Sequence, residues 1–205
     1  MQELGITQFL ENNQWVSGAN ISMSGHETGL EQLCLSLSSE GHDLIRDHGM
    51  PAFSEQINAH LAAFFSAGFS WKILPVELNN YARPTPGLDS DLPDLLSWID
   101  EMQRQRFLFD VRPDLSWFQG HFPGNPILAG VVQLHWAVGL ALAVFEYDRV
   151  PVEIKRLKFK NIVTPPRILE LSLTKTSESE VQFEYVSQGQ IHSLGRLVFE
   201  VDLQC

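Results

Sequence analysis

Residues 127–145 read ILAGVVQLHWAVGLALAVF, nineteen positions without a formal charge, broken only by Gln133 and His135. A helix through this run has no polar face, and a helix apolar all round is stable in water only when protein covers every side of it. A sheet wrapped about it supplies that cover, so the run predicts an α+β domain with one buried central helix. A membrane span is the weaker reading, because Gln133 and His135 interrupt the run and a Pro-rich loop leads into it. That loop, Gly120-His121-Phe122-Pro123-Gly124-Asn125-Pro126, cannot be regular structure. Each Pro removes a backbone donor and each Gly loosens φ, so the loop is a shaped connection into the helix.

The segments around the run supply the sheet. Arg106 to Arg112 (RFLFDVR) alternates in polarity and starts it. Val152 to Lys160, Ile168 to Thr176, Val181 to Ser187 and Ile191 to Val201 add four strands, with turns at Ser177-Glu178 and Gly189. Leu92 to Met102 reads as an amphipathic helix with Leu95, Leu96, Ile99 and Met102 on one side. Four prolines between Pro75 and Pro93, with Asn79-Asn80 and Pro86-Gly87 among them, are linker composition. Two modules follow, 1–90 and 94–205. Charge divides the same way: residues 1–100 hold three Lys/Arg against thirteen Asp/Glu, and residues 101–205 hold eleven against twelve.

The loop and helix start resemble the active-site segment of the hotdog-fold 3-hydroxyacyl-[acyl-carrier-protein] dehydratases, G-H-F-P-G-x-P-x-x-P-G followed by a helix carrying an acidic residue. His121, Phe122, Pro123, Gly124, Pro126 and Gly130 fall on that motif, and Ala129 takes the place of its last Pro. Ile154-Lys155-Arg156-Leu157-Lys158-Phe159 through Val163-Thr164-Pro165 resembles the family's I-x-x-V-x-F-x-x-P-V-x-P-G-D segment, with Pro166-Arg167 replacing Gly-Asp. Gly130-Val131-Val132-Gln133-Leu134-His135-Trp136 is similar to the helix start of the aryl-polyene branch. The resemblance spans roughly residues 104–205 and implies a hotdog fold, an antiparallel sheet rolled around a helix. It also implies a homodimer with sites between subunits.

The resemblance assigns chemistry. Removing water from a 3-hydroxyacyl thioester needs a base for the α-proton, an acid for the departing hydroxyl, and donors for negative charge on the thioester oxygen. His121 is the implied base, and an imidazole with an ordinary pKa of ~6.5 suits it. Gly130 opens the helix, where free amides and the helix dipole favour an oxyanion. Fourteen residues after His121, where the family has Glu or Asp, stands His135. It is either a substitute acid or an ordinary bonded core histidine. Phe122, Gly124, Pro126, Gln133 and Trp136 are candidate substrate-binding residues, with packing and a buried indole hydrogen bond as the plainer roles for the last two. Arg156, Lys158 and Lys160 alternate onto one strand face, either a solvated surface or a dock for acidic carrier protein or the phosphopantetheine phosphate. His26, His42, His48, His60 and His192 read as surface or helix residues with no metal spacing, and no metal or other cofactor is expected beyond a phosphopantetheine-linked substrate.

In the first module a short helix, strands at Val16 to Ser22 and Leu30 to Ser36, a turn at Gly25 to Gly29, helices at Glu40 to Gly49 and Ser54 to Ser66, and a strand at Ser70 to Leu74 are expected. This order resembles the C-terminal subdomain of adenylate-forming acyl ligases, with Asn13 to Ile21 echoing its H-P-x-V-x-D-A-x-V strand. The ligase Gly-Lys finds only Ala82-Arg83 here, which implies a docking remnant, not adenylation. The acidic chain would be repelled by phosphate backbones, excluding nucleic acid. The N-terminus lacks a secretory pattern, and Cys34 and Cys205 form no framework, so a cytoplasmic protein is expected. The function read from the chain is a dehydratase-like protein acting on acyl carrier protein or CoA thioesters in fatty acid, polyketide or aryl polyene synthesis. A catalytically silent acyl-binding or scaffold subunit and a hotdog thioesterase are the alternatives.

Overall fold

Period-two alternation in the second half of the chain builds one six-stranded sheet. The computed structural model describes residues 2–23, 31–64, 70–76, 92–119 and 124–200. Its backbone divides into two compact units, Met1–Pro75 and Val76–Cys205. In the second unit the strands are β4 (Asp94–Glu101), β5 (Arg104–Val111), β6 (Glu153–Phe159), β7 (Arg167–Ser177), β8 (Glu180–Ser187) and β9 (Gln190–Val198). They lie in the order β4-β5-β7-β8-β9-β6, every neighbour antiparallel. The central helix α3 (Gly130–Val144) packs against the face that alternate residues present: Phe107 and Phe109 of β5, Leu171 of β7, Phe183 of β8, all buried with Trp136 and Leu140 of α3. At about 1.5–3 kcal/mol for each fully buried large side chain, this layer dominates the unit's stability. The arrangement is the hotdog that the resemblance implied.

Three expectations are corrected here. Leu92 to Met102 is not a helix; Asp94–Glu101 forms strand β4, hairpinned to β5 through Met102 at φ 61°. Its apolar spacing fits a helical period, and pairing with β5 overrides it. The central helix is not covered on every side, since Val131 is 72% exposed and His135, four residues on along the same face, is also exposed. Finally, a register shift between Lys155 and Lys158, with Arg156 at φ 53°, breaks the alternation of β6. Arg156, Lys158 and Lys160 are exposed, but they are not successive positions of one regular face.

The first unit orders as α1 (Gln2–Glu11), β1 (Val16–Met23), β2 (Glu31–Leu37), α2 (Ser39–Phe64) and β3 (Ser70–Ile73). β1 and β2 are antiparallel; β2 and β3 are parallel, which requires the crossover that α2 provides. Ser38 caps α2 by accepting the Gly41 amide at 3.1 Å. A Cβ at Gly41 would stand 2.0 Å from the Trp15 carbonyl oxygen, so only glycine allows this close approach of helix and strand. Gly49, at φ 81°, kinks α2, and the second half resumes with Pro51 in its first turn and not at Ser54 as expected, because Pro suits that position. The expected turn at Gly25 to Gly29 and the Ala82-Arg83 pair lie outside the described residues. No helix among the described residues is long and apolar enough to cross a membrane.

Candidate functional site

The start of α3 lacks a side-chain cap. Ala129, the cap residue at φ −59° and ψ 143°, has no side chain to serve the first amides of the helix. An α-helix leaves those amides without intrahelical partners, and its dipole makes them attractive to negative charge. Only the third and fourth turn back at once: Val132 and Gln133 donate to the Ala129 carbonyl at 3.0 and 3.2 Å. At Gly130 a side chain approaches the backbone closely. A Cβ there would sit 2.5 Å from Cε1 and Cζ of Phe159, so the Phe159 ring, half-exposed on β6, walls one side of the helix start.

Gln133 is 3% exposed, and its amide is committed within the protein. Nε2 donates to the Leu128 carbonyl at 3.1 Å, and Oε1 accepts from the Ser193 hydroxyl at 2.6 Å. The Tyr185 hydroxyl donates to the Gln133 backbone carbonyl at 2.8 Å, and burial pushes the Tyr185 pKa well above the ordinary phenol value, so it remains a donor. Gln133 therefore faces protein, not substrate. Trp136 is fully buried against Phe109, with ring centroids 6.1 Å apart, and its indole N–H meets no acceptor among the described residues; the expected hydrogen bond is not formed.

His135 is exposed one turn along, beside the indole of Trp117 with ring centroids 5.7 Å apart at 53°. Trp117 stands in the short 3-10 turn Ser116–Phe118. His121, Phe122 and Pro123 lie outside the described residues. Gly124 is exposed at φ 86°, a left-handed conformation that favours glycine, and Pro126 is half-buried. Gly130 and His135 thus share the opening turns of α3, while the basic residues of β6 line the sheet edge that carries Phe159.

His192 is not a surface residue. It is 1% exposed, with Nδ1 3.1 Å from the Ile162 carbonyl and Nε2 2.7 Å from the Ser187 hydroxyl, to which Arg167 also donates at 3.3 Å. The carbonyl accepts only, so Nδ1 carries the proton and Nε2 accepts from Ser187. Burial lowers the His192 pKa below its usual value, and the Arg167 charge lowers it further against hydrogen bonds that raise it. Ser187 and His192 resemble a nucleophile and base, but both are shut off from solvent and serve to hold residues 160–167 to β9. Sequence reasoning missed this clamp and the Ser193, Tyr185, Trp117 and Phe159 contacts. One signal was available for Ser193: it shares inward strand parity with Gly195 and Leu197, where a hydroxyl needs a buried partner.

The site can hold negative charge at the helix start and move a proton at an imidazole one turn away. The ApeI-like family, described as ApeI dehydratase, matches residues 98–196. The 3-hydroxyacyl-[acyl-carrier-protein] dehydratase FabZ of Syntrophotalea carbinolica is 34% identical over 121 residues, covering 55% of this chain and 81% of that protein. FabZ of Ruminiclostridium cellulolyticum is 33% identical over 101 residues, 44% of this chain and 71% of the relative. The dehydratase heterocomplex ApeI:P from Xenorhabdus doucetiae contains a chain 26% identical, with a TM-score of 0.49 and coverage of 52% of this chain and 96% of that one.

Proposed function

The chain belongs to the hotdog-fold 3-hydroxyacyl-[acyl-carrier-protein] dehydratase family, in its ApeI-like aryl-polyene branch, and on that premise we propose how its residues carry a dehydratase-like reaction on a 3-hydroxyacyl thioester. The thioester oxygen lies against the first amides of α3. His121 takes the C2 proton, the electron pair forms the C2–C3 double bond, and the C3–O bond breaks as His135 gives the hydroxyl its proton, releasing water. Acyl carrier protein or CoA presents the substrate through phosphopantetheine, and Arg156, Lys158 and Lys160 attract the acidic carrier. No metal or redox group enters these steps, and the reaction belongs in the cytoplasm. The observation that carries this reading is the uncapped start of α3 with His135 on its next turn.

The site is completed by a second copy of the chain. Val131 and His135 are exposed on α3, and Val152, Phe159 and Ile162 are more than half exposed along and beside edge strand β6. A self-complementary pairing covers such a stripe and is the commonest closure. Light scattering at micromolar concentration is expected to give a dimer, and a monomer counts against the shared site.

One observation favours a second reading, a silent acyl-binding subunit: His135 occupies the place of the family's carboxylate, so the position that should carry the general acid has no carboxyl group. The thioesterase reading fares worse, because the α3 run offers no carboxylate before Glu146, past the far end of the helix. Mass spectrometry of 3-hydroxyacyl carrier protein separates all three. Loss of water is expected, slow in the wild type and faster in His135→Glu, since a missing general acid costs roughly 10²–10⁴-fold. Release of free acid marks a thioesterase, and unaltered thioester in both proteins marks the silent subunit.

A further inference from the structure

Gln133 is an amide buried in a helix whose other core-facing residues are apolar, and a buried amide is destabilising unless both its ends are bonded. Both are. The assignment of its atoms is fixed by chemistry, because the Leu128 carbonyl can only accept and the Ser193 hydroxyl is left to donate. Leu128 is held at its other side as well, its N–H donating to the Val163 carbonyl at 2.8 Å. Thus the residue two before Gly130 is fixed at both N–H and C=O, and the residue three after it is tied to β9 by Ser193 and to β8 by Tyr185. The short stretch between them, Ala129 to Val132, contains the amides at the helix start. With Phe159 walling Gly130, the direction in which those amides point has little freedom left.

We infer that Gln133 is the positioning residue of the oxyanion site: it locks the loop before α3 and strand β9 to the helix so that the Gly130 and Val131 amides are aimed before substrate arrives. This rests on the dehydratase reading for what the amides bind, but the lock itself does not depend on it. A space-filling role would be met by any side chain of similar volume. A positioning role is not, since an error of about 1 Å in a reacting group can cost 10²-fold in rate.

The test uses the full chain with Gln133→Met, which keeps length and volume and removes both bonds, Ser193→Ala, which removes one, and the double variant. Dehydration of 3-hydroxyacyl carrier protein should fall about 10–100-fold in kcat for Gln133→Met with KM within about twofold. Ser193→Ala should lose less, and the double variant no more than Gln133→Met alone. Hydrogen exchange at the Val132 and Gln133 amides, measured without substrate, should accelerate in the same order. Wild-type kcat and wild-type exchange in Gln133→Met, whatever its melting temperature, would overturn the assignment. So would a rise in KM with kcat unchanged, the mark of a direct substrate contact. If the wild type releases no water, the dehydratase reading fails, and amide exchange alone decides whether the lock exists.

Discussion

Gly130→Ala isolates what the glycine at the helix start is for. The new Cβ would lie 2.5 Å from two atoms of the Phe159 ring, closer than carbon atoms approach, so the ring must leave. Phe159 is 52% exposed on an edge strand and is free to swing outward. With a Phe offering about 200 Å² and roughly half of it buried, expulsion returns about 100 Å² to water, or about 2.5 kcal/mol at 25 cal/mol/Å². Alanine returns up to about 1 kcal/mol through its better helix propensity. The net loss is about 1–2 kcal/mol, a fall in melting temperature of roughly 3–8 °C for a unit of this size. Thermal unfolding of Gly130→Ala, Phe159→Ala and the double variant checks the cause. If contact with Phe159 is the whole penalty, the double variant melts no lower than Phe159→Ala. Additive losses would refute the geometry, showing that the methyl group meets something other than the ring.

Other outcomes follow from the same structure. Changing Arg156, Lys158 and Lys160 together to Ala should weaken capture of acidic carrier protein most at low salt, because screening at 0.1 M limits attraction to about 10 Å; binding without salt dependence returns them to a solvated surface. His192 has a depressed pKa, so its clamp is fully stabilising above the ordinary value of 6.5 and weakens as pH falls below it toward the folded-state value, the unfolded chain binding the proton more readily. Melting curves between pH 7.5 and 5 should therefore decline more steeply for wild type than for His192→Asn, and parallel curves would refute the assignment. Arg106 and Glu170 form an ion pair at 3.0 Å with both side chains almost wholly buried. Glu170→Ala should cost about 3–5 kcal/mol in denaturant unfolding, whereas Arg106→Met with Glu170→Leu should recover most of it; equal losses would show that the pair is not the source.

Much of the fold is legible in the sequence because its signals are local. Alternation marks β5, β7 and β8 within a residue or two and the start of β9 within one, although β9 ends three residues before the expected Val201; the uncharged apolar run marks α3. β4 is not legible, because Leu95, Leu96, Ile99 and Met102 satisfy a helical period and only the partner strand excludes it. The bulge at Arg156 depends on register with β9 and has no local signature. At the site, Gly130 and His135 are visible from the motif. The role of Gln133 is not, because its partners Tyr185 and Ser193 lie 52 and 60 residues away. Local chemistry names the residues; only the assembled sheet determines which of them face one another.

Helix α3 precedes four of the six strands that enclose it. On a ribosome adding 5–20 residues each second, the interval between completing Val144 and completing Val198 is roughly 3–10 s. At its start an almost uncharged helix has only β4 and β5 to lie against, while β6, β7, β8 and β9 are still to be made. Closure then waits on Val111 meeting Arg167 across the helix, a loop whose entropy costs about 3 kcal/mol more than that of a tight hairpin. The most exposed moment in this protein's life is therefore its synthesis, and chaperones that recognise short apolar segments would find residues 127–145 presented to them before any other part of the second unit has a core.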